Sequence, residues 1–234
     1  MTRNPFSLAL QRVVGQIRFR PTLSYLNNIP LSVKDLEADF EEWRAKGNND
    51  LTLYSPEKKE FLQISAGAIT YVNEDNYDSE KLKSYIKSAF DKATQSYSVS
   101  KVKRIGVRNI QILKSSFEFQ DLVDLIYKKF YLQSEQLKTI SSAETRDVVF
   151  VLDGIKNDFS NHIQLGPVKK TEAVKFFDSS FDPNLEVEND NNLLIDVDVF
   201  TSENLNVENS LVKFDKAIEE NLRIVKEYID YLIS

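Results

Sequence analysis

The chain of 234 residues carries 30 Lys and Arg against 36 Asp and Glu, a net charge of −6, with 41% hydrophobic and 28% charged residues. This composition describes a folded globular chain rather than a disordered one, long enough to bury a sizeable core, and it supplies no global pull toward nucleic acid or anionic membrane. No cysteine is present, which excludes disulfides, thiolate nucleophiles and zinc–cysteine sites. The N-terminal residues lack the apolar core of a signal sequence, and no apolar run approaches the ~18–20 residues that span a bilayer, so a cytoplasmic location is expected.

Val13–Arg20 alternates as a strand, with Ile17 and Phe19 on one face and Gln16, Arg18 and Arg20 on the other. Pro21 ends it, since proline cannot donate to a ladder. Ser32–Asp35 reads as a variant capping box, and Val33, Leu36, Phe40 and Trp43 fall on one helical stripe. A helix is therefore expected there, with Trp43 in the core and Gly47–Asp50 at its end. Leu51–Tyr54 is a short strand. Phe61–Ser65 and Ala68–Val72 form a hairpin about Ala66-Gly67. Asp78 or Ser79 caps a second helix whose buried face is Leu82, Tyr85, Ile86, Ala89, Phe90 and Ala93.

Val102–Leu113 is the central strand, with Ile105 and Val107 facing one way and Arg104 and Arg108 the other. A third helix covers about Phe119–Leu132. The polar stretch Gln133–Arg146 is the best boundary, which separates residues 1–133 from residues 134–234. Beyond it, strands are expected at Val148–Leu152, His162–Leu165, Ala173–Phe177 and Leu193–Phe200. The acidic connection Asp182–Asn192 reads as a hairpin tip. A last helix, about Val207–Ile233, repeats Leu211, Phe214, Ile218, Leu222, Val225, Ile229 and Leu232 at steps of three and four. The expected fold is α+β: a ferredoxin-like βαββαβ first half, then an antiparallel sheet with a long C-terminal helix, the two packed as one unit.

Candidate chemistry is sparse. His162 is the only histidine, so neither a Ser-His-Asp set nor a multi-histidine metal cluster can be assembled. The six glycines stand apart, so phosphate-cradling loops are absent. Asp196 and Asp198, two apart on a strand, share a face. Such a pair suits a divalent cation in a metal-dependent nuclease or other hydrolase, or else a polar outer face opposite Ile195, Val197 and Val199. Arg18, Arg20, Arg104 and Arg108 would share a sheet face if their two strands are neighbours. They would then bind nucleic acid or a small anion, or serve as counter-charges to Asp196 and Asp198 across an interface between the halves. RNA-binding sheets of this topology add exposed aromatics, for which Tyr71 is the nearest candidate. The counter-charge reading is favoured, and no catalytic, cofactor or metal residue is assigned.

Three segments carry a family resemblance. Val13-Val14-Gly15-Gln16-Ile17-Arg18-Phe19-Arg20-Pro21, Arg104-Ile105-Gly106-Val107-Arg108-Asn109-Ile110 and Leu194-Ile195-Asp196-Val197-Asp198-Val199-Phe200 resemble, in order, the VVxQ[IL]RFxP, RIGLRY[IQ]N and LIDxD[VF]F strands of a sporadically distributed family of uncharacterised prokaryotic proteins. Asn109 stands where that family usually has an aromatic residue, and the last helix lacks its Phe-x-x-x-Ile-Thr pattern. The resemblance implies no established activity. The family's patchy distribution implies carriage in mobile or antiviral defence-type gene clusters. The function expected is that of a non-enzymatic, cytosolic interaction module whose partner is a second copy or a protein encoded nearby.

Overall fold

The two longest alternating stretches of the chain form the middle of the structure, a computed structural model that describes residues 4–22, 24–47, 50–75, 77–97, 99–131, 146–177, 181, 187–202 and 205–234. β1 (Phe6–Phe19) begins well before Val13 and pairs along its length with β6 (Val102–Ser115), from Phe6 opposite Ser115 to Phe19 opposite Val102. Around this pair lie β2 (Glu42–Lys46), β3 (Asp50–Ser55), β4 (Glu60–Ser65), β5 (Ala68–Asn73), β7 (Phe150–Lys156), β8 (Phe159–Val168) and β9 (Asn192–Thr201). The nine strands form one sheet in the order β2-β3-β4-β5-β1-β6-β9-β8-β7, and every neighbouring pair is antiparallel. Both sides of the expected boundary at residue 133 contribute to this sheet, and β6 and β9 meet directly. The boundary segment itself lies outside the described residues apart from Arg146.

Three helices cover one face: α1 (Ser79–Tyr97), α2 (Phe119–Phe130) and α3 (Val207–Ile233). Asp78 starts α1, its Oδ1 accepting from the amides of Glu80 (2.9 Å) and Lys81 (3.2 Å). Ile17, Ile105, Val107, Ile195, Val197 and Val199 point from the sheet into this layer and are buried, as their alternation requires. Gly15 sits where α1 and α3 converge. A Cβ there would lie 2.5 Å from Leu82 Cδ1 and 2.9 Å from Phe214 Cζ, so a side chain is excluded unless both move. Beside it, Glu60 of β4 is fully buried. It accepts from the Tyr71 hydroxyl (2.6 Å) and pairs with Lys81 of α1 (2.7 Å).

Two expected elements differ. The helix predicted to end near Trp43 is replaced by short helical turns at Tyr25–Asn28, Ile29–Ser32 and Lys34–Asp39. Val33, Leu36 and Phe40 are buried as predicted, but their spacing is also met by tight 3₁₀ turns. At Phe40 the backbone becomes extended, and the following residues are captured by β3, the Glu41 amide bonding to the Tyr54 carbonyl. Gly47, at φ +62°, belongs to the β2–β3 connection rather than to a helix end. Trp43 therefore projects from an edge strand and is 63% exposed, not core. The strand predicted at Ala173–Phe177 is instead a pair of helical turns, Lys170–Ala173 and Val174–Phe176. β9 is already paired on both sides, by β6 and β8, and has no free edge to offer it. Of the acidic connection, 182–186 lies outside the described residues, whereas Val187 is buried.

Those turns cover part of the second sheet face. Ala173 and Phe177 pack with Val168, Val187, Ile110, Ile112 and Leu194 into a smaller core. Arg12 donates to the Phe176 carbonyl (3.0 Å), and Phe181 stacks on Phe61 of β4. The rest of that face, over the other ends of β1, β6 and β9, is polar.

Midway along α3 a buried polar side chain faces the sheet. Asn221, 1% exposed, donates through Nδ2 to the carbonyls of Val107 on β6 (3.0 Å) and Val197 on β9 (2.8 Å). It ties the helix to the two strands where the halves of the sequence meet. Replacing it by leucine keeps the bulk and leaves both carbonyls without this donor, a loss of about 1–3 kcal/mol. Urea unfolding of Asn221→Leu should show a lower midpoint with an unchanged slope.

Candidate functional site

The strands bearing the three resembling segments are neighbours, β1-β6-β9, and their outward residues form a polar belt on the face away from the helices. Register sets the belt. Arg18 lies opposite Arg104, Gln16 opposite Gly106 and Val14 opposite Arg108, which in turn faces Asp198. Two like charges directly opposite one another repel. They are drawn apart: Arg104 donates to Asp198 Oδ2 on β9 (2.8 Å), while the Arg18 Nε–H bonds to the Gln16 side-chain carbonyl on its own strand. Gln16 is held in turn by the Thr70 hydroxyl of β5 (2.8 Å). Arg108 grips Asp196 with two bonds, Nε to Oδ1 at 2.9 Å and Nη2 to Oδ2 at 2.6 Å. This fork geometry is the strong form of the pair.

Burial differs sharply within the belt. Asp196 is 1% exposed, whereas its partner Arg108 keeps nearly half of its side chain in water. Asp198 is mostly buried, and desolvation raises its carboxyl above the ordinary range despite the opposing pull of Arg104 and Arg108. Gly106 makes room for Arg104. A Cβ there would stand 3.2 Å from Phe200 Cβ and 3.3 Å from the Arg104 guanidinium carbon. The guanidinium instead lies across this gap, 4.6 Å from the centre of the Phe200 ring. Val14, Gln16, Arg18, Arg104, Gly106, Arg108 and Asp198 enclose a shallow pocket of about 410 Å³.

The Arg–Asp pairs thus form between neighbouring strands of one sheet and not across an interface between packed halves. Among the described residues, the strands of the second half extend the sheet sideways and do not stack on this end of the face. Arg20 lies just past β1 and is exposed. Tyr71 points into the helix layer and bonds to Glu60, so it offers no stacking surface. His162 on β8 pairs through Nδ1 with Asp153 of β7 (2.7 Å), near the sheet edge. Among the described residues no three His, Cys, Asp or Glu are placed to hold a metal ion. The Asp196 carboxylate is taken up by Arg108. Among the described residues no helix is long and apolar enough to cross a membrane.

Two participants escaped the sequence reading. Gln16 and Gly106 shape the pocket, and strand alternation had put Gln16 on the arginine side. A second surface was masked by the helical reading of residues 32–43. Trp43 and Leu31, the latter 54% exposed, line an apolar groove of about 360 Å³ with Pro30, Val33, Leu51 and Leu53, beside the edge of β2 that no described strand pairs. No protein-family model matches the chain, and no curated protein matches it.

Removing Arg108 leaves the buried Asp196 carboxylate without its fork. Arg108→Met should cost about 3 kcal/mol, and Asp196→Asn in the same chain should recover much of it, as a double-mutant cycle in urea would show. Asp198 obeys the opposite sign. Its carboxyl is raised on folding, so its favourable contribution is present below the unfolded value and is lost as pH rises through the folded one. The stability of Asp198→Asn relative to the parent should therefore improve as pH climbs from the acid range to neutrality, measured by melts across pH.

Proposed function

We propose that this protein is a cytosolic, non-enzymatic interaction module that receives an extended segment of a partner protein along β2. The exposed Trp43 beside an unpaired strand edge carries this reading. A sheet edge presents unpaired amides and carbonyls that template another strand. All five residues of β2 are exposed, with neither proline nor a break in its register against β3 to blunt the edge. Trp43 and Leu31 supply an apolar anchor point on the helix side of that edge. Tryptophan is the residue type that most often dominates binding energy. Charged residues occupy every second position of the strand, Glu42, Arg44 and Lys46, so an added segment with carboxylates opposite Arg44 and Lys46 gains register as well as affinity.

The scaffold supports the same reading. The neighbour order β4-β5-β1-β6 supports reading these strands as a ferredoxin-like unit in which helical turns and the hairpin β2–β3 stand in place of the first crossover helix. That replacement is what creates the free edge. The resemblance to a family implied in mobile or defence-type gene clusters directs the search for the partner to products of adjacent genes.

The test combines affinity purification with those products and mass measurement in solution. The parent chain should retain a partner in fixed stoichiometry, and Trp43→Asp should release it while melting within a few degrees of the parent, because the side chain is largely in water. A parent chain that stays monomeric and retains nothing, or a Trp43→Asp chain that binds as well as the parent, would overturn the proposal.

A further inference from the structure

The polar pocket over Gly106 has a composition that strand pairing alone does not require. Three guanidinium groups border it, those of Arg18, Arg104 and Arg108, and two carboxylates answer them, Asp198 and Asp196. One positive charge is left over. It belongs to Arg18, whose guanidinium meets no carboxylate among the described residues and whose Nε is already oriented by Gln16. Arg104 is fixed by Asp198 and by the Phe200 ring, and Arg108 by its fork with Asp196. The donors are therefore pre-oriented, which lowers the entropy a ligand would otherwise lose in arranging them.

We infer that this pocket binds a phosphorylated small molecule, a phosphate monoester held through its phosphoryl oxygens by Arg18, Arg104 and Arg108. Donors approach from two strands and from both sides of the glycine gap, which suits a tetrahedral oxyanion with several acceptor oxygens. Guanidinium groups match phosphoryl oxygens in geometry and remain charged at every working pH. The volume of about 410 Å³ lies within the ~300–1,000 Å³ typical of small-ligand sites. A nucleic-acid strand is the poorer fit. Arg104 lies over the Phe200 ring, and the Tyr54–Phe61 pair at the far side of the sheet is covered by Phe181, so bases find no stacking platform there.

Titration calorimetry on the full chain tests this with three probes: inorganic phosphate, adenosine monophosphate and a short single-stranded oligodeoxynucleotide without a terminal phosphate. Saturable binding of phosphate and of the mononucleotide is expected. Arg18→Ala should weaken both at least tenfold, and Arg20→Ala, outside the pocket, should leave both unchanged. Arg18 is exposed, so its variant should melt with the parent, and Arg18→Lys, which keeps the charge and loses the fork, should fall between parent and alanine. The inference is overturned if neither phosphate nor mononucleotide saturates, if Arg18→Ala binds like the parent, or if the oligonucleotide alone binds. It stands apart from the β2 reading, because no residue is shared between the two surfaces.

Discussion

The structure depends on the long antiparallel pairing of β1 with β6. It joins residues nearly a hundred positions apart in sequence and places every other element by register. On one side of it the hairpins β4–β5 and β2–β3 extend the sheet, and on the other β9, β8 and β7 do the same. Because side chains alternate strictly along a strand, a slip of one residue in this ladder would exchange the two faces. A slip of β1 would turn Ile17 to water and drive Arg18 under the helices, and a slip of β6 would do the same to Ile105 and Arg104. The apolar alternation of the two strands, together with Gly15 at the crossing of α1 and α3, fixes the register.

The two faces then do different work. The helix face is an apolar core with few polar insertions, among them Glu60, answered by Lys81 and Tyr71, and Asn221, which gives both amide hydrogens to the sheet. The other face is divided. One end is closed by the turns after β8 and their small core, and the opposite end is left to charged groups that neutralise each other between neighbouring strands. A buried carboxylate such as Asp196 is tolerated because Arg108 reaches it with two hydrogen bonds while keeping its own stem at the surface. Replacement by apolar residues of like size would serve stability at least as well. The polar belt is thus the feature on which the inferred phosphate pocket rests.

Much of this was legible in the sequence where one periodicity dominated. The alternation of β6 and β9, the cap at Asp78 and the long stripe of α3 each led to the observed element. Strand alternation put Arg104 and Arg108 on one face and Asp196 and Asp198 on another, but that their strands are neighbours in one sheet, and not halves packed face to face, was not legible. Legibility failed where local pattern was ambiguous and tertiary context decided. Val33, Leu36 and Phe40 satisfy a helix and a run of 3₁₀ turns equally, and only the open edge of β3 draws the next residues into a strand. Residues 173–177 are apolar enough for a strand but reach a sheet with no edge left at β9. Leu222 matches the stripe of α3 yet is exposed, while Asn221 beside it is buried, because the helix meets the sheet at a slightly rotated angle that the sequence does not encode. The pocket was invisible for a related reason. It is bounded by two strands and a glycine that come together only through the long ladder.

The parity of the sheet has a consequence for how copies of this chain can meet. With nine strands, all antiparallel to their neighbours, the two outermost strands β2 and β7 run in the same direction. A head-to-tail row of molecules, β7 of one against β2 of the next, would have to pair them in parallel at every junction, out of keeping with the antiparallel ladders inside each molecule. A two-fold meeting of β2 with β2, or of β7 with β7, restores the antiparallel pattern and closes on itself. An odd strand count therefore steers edge contacts away from open fibres and toward discrete pairs.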